Sequence, residues 1–150
     1  MIESATLQKY SLFGGLLEDQ IDQIRPLMEQ ESYEPGDDII VEGASNDRIR
    51  FILDGVVAVV KKGIILSEFK EGDVFGEMEV LDVMPSAATI KALATTRVMA
   101  ISNKGLREIY NTDSQTFSLM MMNLARDLSR RLRRMDEWLV TRHVVLEGET

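Results

Sequence analysis

Residues 72–89 read Gly-Asp-Val-Phe-Gly-Glu-Met-Glu-Val-Leu-Asp-Val-Met-Pro-Ser-Ala-Ala-Thr and hold the side chains of this chain best suited to chemistry. Gly72 and Gly76 supply tight turns without steric cost. Glu77 directly follows the second turn, so its carboxylate can be aimed inward, where it would accept a strong, charge-assisted hydrogen bond. Glu79 stands two residues further on, and Ser86 can donate one hydrogen bond but brings no charge. A hard cation bound here would need several oxygen ligands, and only Glu77 and Glu79 are on offer. The stretch therefore reads as a compact binding unit, with decay of an older site weighed against a pocket re-specialised for another ligand.

Nothing else in the chain supports catalysis. There is no cysteine, which excludes disulfides, thiolate metal sites and cysteine nucleophiles. His143 is the single histidine. No Walker loop, nucleophile elbow or paired-carboxylate hydrolase motif occurs, and no catalytic or metal-ligating residue is assigned.

At 150 residues, 45% hydrophobic and 28% charged, the chain has the size and composition of one globular domain with a full core. No apolar run approaches the roughly 18 residues a membrane helix needs. The first residues lack the basic and apolar regions of a signal peptide, so a cytoplasmic location is expected. A net charge of -8 argues against a whole-domain nucleic-acid binder. Arg126, Arg130, Arg131, Arg133 and Arg134 break the acidic trend. The bland reading, a solvated helix flank, outweighs nucleic-acid or anionic-membrane binding for this short cluster.

The elements that must position the unit fall into three regions. Residues 1–34 read as N-terminal helices, because Leu7, Tyr10, Phe13, Leu16, Leu17, Ile21, Ile24 and Leu27 recur at three- and four-residue steps, with a break at Gly14-Gly15. Residues 37–101 carry short β-rich runs bounded by glycines: Ile39 to Val41, Ile49 to Leu53, Val56 to Val60, Ile64 to Phe69, Ala88 to Ala94 and Arg97 to Ile101. That spacing predicts an antiparallel sandwich or barrel with a jelly-roll closure. A jelly roll can also house a metal enzyme, but that site takes several histidines, and one histidine outside the barrel rules it out. Residues 102–140 return to helix. Ser102 is a candidate N-cap for a short helix to about Tyr110, and Thr112 or Asp113 for a longer one. Along the longer helix Phe117, Met121, Leu124, Leu128, Leu132, Met135 and Leu139 form an apolar stripe. One domain cannot easily cover so long a stripe, so pairing with the same helix of a second chain is expected. Within Met120-Met121-Met122 the reading places Met121 in the core or interface, and Trp138 is read as an interface anchor. The tail from His143 to Thr150 carries no clear signal and is expected to fray.

Helices, a glycine-punctuated β-roll, a hinge helix and a long helix resemble the cyclic-nucleotide-binding domain family, over about residues 5 to 140. Three segments carry the resemblance. Val41-Glu42-Gly43 with Phe51-Ile52-Leu53-Asp54-Gly55 is similar to the early turns of the β-roll. Residues 72–89 resemble the phosphate-binding cassette, in which Phe-Gly-Glu is followed by Pro-Arg-Ala-Ala-Thr. Leu124-Ala125-Arg126-Asp127-Leu128 with Arg131-Leu132 is similar to the dimer helix of catabolite-activator-type regulators. The fold this implies is mainly β with flanking helices: a double-stranded β-helix (jelly roll) β-roll with short N-terminal helices and a long C-terminal dimerisation helix.

The resemblance also implies a site. Phe75 and Gly76 lead the cassette, and Glu77 matches the glutamate that takes the ribose 2′-hydroxyl. Gly76, Met78, Ala87 and Ala88 match the backbone amides that cradle the phosphate, and such a nest needs no particular side chain. Arg131 and Leu132 fall about where some relatives contact the base. The implied ligand is cAMP or cGMP, the implied class a non-enzymatic regulatory sensor, and the implied moving joint Asn103 to Thr112. Two departures argue against tight binding. Ser86 stands where the family has the phosphate-binding arginine, and loss of that contact removes about 2–5 kcal/mol, roughly thirty-fold to several-thousand-fold in affinity. Glu79 stands where a small residue is usual and would add a second negative charge. Arg48, Arg50 and Lys91 are candidate compensators, and a basic side chain seated in the vacated place would overturn the loss. No helix-turn-helix is read after residue 140, so direct DNA recognition is not expected. An effector-independent dimer or scaffold, or a nucleic-acid accessory protein using Arg130–Arg134, are the alternatives.

Overall fold

A computed structural model describes residues 2–148. The N-terminal segment forms α1 (Ser4–Leu7) and α2 (Glu18–Ile24), separated and followed by 3₁₀ turns at Ser11–Phe13 and Arg25–Leu27. Eight strands follow: β1 (Met28–Tyr33), β2 (Asp38–Ile40), β3 (Arg48–Asp54), β4 (Val56–Lys61), β5 (Ile64–Lys70), β6 (Val74–Phe75), β7 (Thr89–Ala92) and β8 (Thr96–Ser102). The helix α3 (Glu77–Asp82) lies between β6 and β7, and α4 (Asn103–Thr112) and α5 (Ser114–Gly148) close the chain.

The strands make two antiparallel four-stranded sheets, ordered β1-β8-β3-β6 and β2-β7-β4-β5. Strand β3 explains how the layers stack. Its side chains alternate between two faces, and both faces are buried. Ile52 meets Ile40, Val57, Phe75, Ile90 and Val98 between the sheets. Ile49, Phe51 and Leu53 meet the other face's cover, made by Leu7, Phe13 and Ile21 of the N-terminal helices and Ile109, Met120 and Leu124 of α4 and α5. Phe13 packs edge-on against Phe51, centroids 5.1 Å apart. The β4–β5 hairpin turns at Lys62-Gly63, both with positive φ (51° and 76°), the geometry that a two-residue antiparallel turn favours.

The β-roll and the long helix match the sequence expectation, with four differences. First, Met28–Tyr33 is a strand, within the region read as helical. It sits at a sheet edge, bonded only to β8, and its polar side chains hid it: Glu29 and Glu31 are there to take Arg48 and Arg50. Second, β6 and α3 are too short to leave a periodic signal. Third, the segment from His143 to Gly148 is helical, and Glu149 and Thr150 lie outside the described residues. That helical segment continues a helix already formed, which adds a bond per residue without a new nucleus. Fourth, Met120 is the fully buried methionine of α5, while Met121 packs half-buried against the same core.

The caps follow expectation. The Ser102 hydroxyl accepts the Gly105 amide at 3.0 Å, and Asp113 accepts the amides of Gln115 (3.1 Å) and Thr116 (3.2 Å). Those Thr116 bonds, hydroxyl first, hold the Asp113 carboxyl below its ordinary range.

Candidate functional site

The cassette is an ordered turn, helix and loop between β6 and β7. Gly76 opens it with φ +83°, and a Cβ there would sit 2.7 Å from the Arg48 carbonyl oxygen. Only glycine tolerates both the backbone and the approach. The loop after β2 ties the cassette's two limbs together. Asn46 donates from Nδ2 to the Gly76 carbonyl at 3.0 Å and the Arg48 carbonyl at 2.9 Å. On the far limb the Gly43 amide donates to the Ser86 carbonyl (2.8 Å) and the Ser86 amide to the Ala44 carbonyl (2.9 Å). Behind Asn46 stands Arg50, almost buried, whose Nη1 donates to Asn46 Oδ1 at 2.9 Å and whose Nε donates to Glu31 at 2.7 Å. Burial pushes the Glu31 carboxyl up, but the bond to and charge of Arg50, aided by Tyr33 and Arg48, hold it below its ordinary value.

Phe75, Gly76, Glu77, Ser86 and Ala88 are buried, while Met78 and Ala87 are exposed and Glu79 is half-buried. Ser86 donates its hydroxyl to the Ala88 carbonyl at 2.6 Å. That hydroxyl is spent within the loop, and the side chain contributes no charge.

None of the three compensators weighed from sequence serves the cassette. Arg48 pairs with Glu29 (2.7 Å) and Glu31 (3.2 Å), Arg50 with Glu31, and Lys91 with Asp38 (3.0 Å). A basic side chain does arrive, from α5. Arg131 Nη1 donates to Glu77 Oε1 at 2.6 Å, and Nη2 donates to the Val74 carbonyl. Its guanidinium carbon lies 4.6 Å from the centroid of the Phe69 ring, which stacks in turn on Phe75 at 6.5 Å and an interplanar angle of 5°. Arg131 thus reaches the place that the resemblance gives to the ribose hydroxyl, and it grips Glu77 there. Burial dominates Glu77 and pushes its carboxyl above the ordinary range; Arg131 offsets part of this and Glu79 adds to it.

Leu132 is 60% exposed on the outer side of α5, away from Glu77, so of the two base-side candidates only Arg131 joins the cassette. Within the arginine cluster, Arg130 pairs with Asp127 at 3.4 Å. A cleft of about 630 Å³ opens beside Val74 between Tyr10 and the arginines Arg130, Arg131 and Arg134. The residues missed from sequence are Asn46, Phe69 and Val74. Asn46 and the Val74 carbonyl act through backbone geometry and leave no pattern. Phe69 showed only as a strand aromatic.

The fold is a β-roll that carries a turn, helix and loop cassette between β6 and β7, with α5 docked against it. Residues 30–113 match the family model for the cyclic nucleotide-binding domain, and the chain belongs to that family. It is 29% identical over 104 residues to a cAMP-dependent protein kinase regulatory subunit of Debaryomyces hansenii, an alignment covering 69% of this chain and 23% of that one. The chain thus spans about a quarter of that relative's length. A cyclic nucleotide-binding domain from Methylobacillus flagellatus superposes with a TM-score of 0.83 at 22% identity, covering 92% of this chain and 80% of the other. The Thermus thermophilus catabolite activator protein gives 0.73 at 26% identity, covering 86% and 61%. No helix among the described residues is long and apolar enough to cross a membrane.

Proposed function

We propose that this chain is a single non-enzymatic, cytoplasmic ligand-sensing module of the cyclic-nucleotide type in which binding of cAMP or cGMP is weakened or lost. The observation that carries this reading is Ser86, which is buried, uncharged and bonded to the Ala88 carbonyl. A buried phosphate with no cationic partner is costly to desolvate. The guanidinium that bonds the cassette directly, Arg131, already serves Glu77, Val74 and Phe69. Calorimetric titration with cAMP and cGMP tests the reading: no heat at micromolar protein is expected, and micromolar or tighter binding overturns it.

The module is a homodimer through α5. Leu124 and, in part, Phe117 and Met121 cover the protomer's own core and Leu128 is half-buried, whereas Leu132, Met135, Trp138, Leu139 and Leu146 are each more than half exposed. Leu128, Leu132, Met135, Leu139 and Leu146 follow steps of three, four and seven and share one helix face. An apolar strip on a helix projecting from its domain is stable in water only when covered. Sizing with light scattering tests this, and a monomer at tens of micromolar overturns it. A second reading, an effector-independent dimer or scaffold, is favoured by the same Arg131–Glu77 contact, because a pocket filled from within has no need of a ligand. A thermal-shift screen over small anionic and nucleotide-like compounds beyond cAMP and cGMP separates the two: a shift supports the sensor, and no shift supports the scaffold.

A further inference from the structure

The groups around Arg131 belong to three different elements and make a receptor of one definite kind. Glu77 of α3 offers a carboxylate that is 2% exposed. Strand β6 offers the Val74 carbonyl oxygen. Strand β5 offers the face of Phe69, backed by Phe75. An ionised acceptor, a neutral acceptor in its neighbourhood and an aromatic face suit a planar, forked cation, which bonds along its edge while its flat face stacks on a ring; a compact ammonium has no flat face to stack. The electrostatics point the same way. Glu79 adds negative potential at Glu77, the position that would have supplied a cation is Ser86, and the other basic candidates are engaged elsewhere. The pocket is therefore poorly suited to an anion and well suited to a guanidinium.

We infer that Phe69, Val74 and Glu77 form a guanidinium-binding cage whose resident ligand is the chain's own Arg131, and that this seating pins α5 to the β-roll. Arg131 lies at the border between the buried face of α5, marked by Met120 and Leu124, and its exposed stripe. It is the last half-buried residue of that helix; every described residue from 132 onward is exposed. The cage thus fixes α5 at the point where it leaves the domain. The inference does not depend on whether a cyclic nucleotide binds.

Chemical rescue tests it. Arg131→Ala removes the occupant but leaves the cage, and the cleft beside Val74 gives a small solute a path to it. The probe is N-ethylguanidinium, the missing part of the side chain, with ethylammonium as control. The melting temperature of Arg131→Ala is expected to fall by about 5–10 °C, since the change leaves a buried carboxylate unpaired. Millimolar N-ethylguanidinium should restore part of that loss, and ethylammonium should not. Adding Glu77→Gln to the variant should abolish the rescue. Arg131→Gln, which keeps the stem, serves if Arg131→Ala does not fold, and should respond to neither probe while still melting below wild type. Wild-type melting in both variants, equal stabilisation by the two cations, or rescue that survives Glu77→Gln would overturn the cage.

Discussion

Restoring the missing charge is the most direct test of why this pocket should bind cyclic nucleotides poorly. In Ser86→Arg the new guanidinium replaces a hydroxyl whose present work is one hydrogen bond to the Ala88 carbonyl. Losing that bond costs about 1 kcal/mol of stability. The backbone of residue 86 is held by two bonds to Gly43 and Ala44 that involve no side chain, so the loop should keep its shape. A charge-assisted contact to a buried phosphate contributes about 2–5 kcal/mol to binding, which is a gain of roughly thirty-fold to several-thousand-fold. Part of that gain is offset, because a nucleotide hydroxyl must still displace Arg131 from Glu77. The double variant Ser86→Arg/Arg131→Ala should therefore bind cAMP more tightly than either single variant. Calorimetry on all four proteins, with circular dichroism to verify folding, provides the measurement. If folded Ser86→Arg and the double variant bind cAMP no better than wild type, the argument from the absent cation is wrong.

Three further outcomes follow from the same geometry. Because burial holds the Glu77 carboxyl above its ordinary value of 4.5, the folded state keeps a proton that the unfolded chain has already released. Wild type should accordingly lose stability relative to Glu77→Gln as pH rises from the ordinary glutamate range through the raised one, as read by melting temperature against pH; the opposite slope would refute the assignment. Asn46→Ala should cost about 1–3 kcal/mol in urea unfolding, since it strips a partner from Arg50 and frees the Gly76 and Arg48 carbonyls; a loss below about 0.5 kcal/mol would show the brace to be dispensable. Leu132→Glu/Met135→Glu changes two residues that are each 60% exposed, so it should leave folding intact and yield a monomer by light scattering; a persistent dimer would place the interface elsewhere.

The limits of sequence reading show at particular residues. Val56 to Val60 and Arg97 to Ile101 were legible as strands because apolar and β-branched runs ended in turn residues, and Ser102 and Asp113 were legible as caps because their side chains bond amides two or three positions away. Those are local signals. Met28–Tyr33 escaped because an edge strand whose partners for Glu29 and Glu31 lie about twenty residues ahead has no local reason to be polar. Met120 was passed over for Met121 because a stripe drawn at three- and four-residue steps leaves the helix rotation open by one position, and only the docked β-roll fixes it. In the cassette, Glu77 and Ser86 were identifiable by their places beside Gly76 and before Ala87-Ala88. Arg131 was marked as a candidate contact to a base, without a hint that its partner is Glu77.

The chain's one-dimensional pattern was enough to set the family, the β-roll, the helix order and an uncharged residue at position 86, because each depends on residue type and on neighbours a few positions apart. Tertiary structure alone decided which side chain meets Glu77. Glu77 and Arg131 are separated by 54 positions, and no local rule relates them. They meet because the hydrophobic face of α5 must dock on the β-roll through Met120 and Leu124, and that docking carries a guanidinium to a buried carboxylate that cannot remain without a partner.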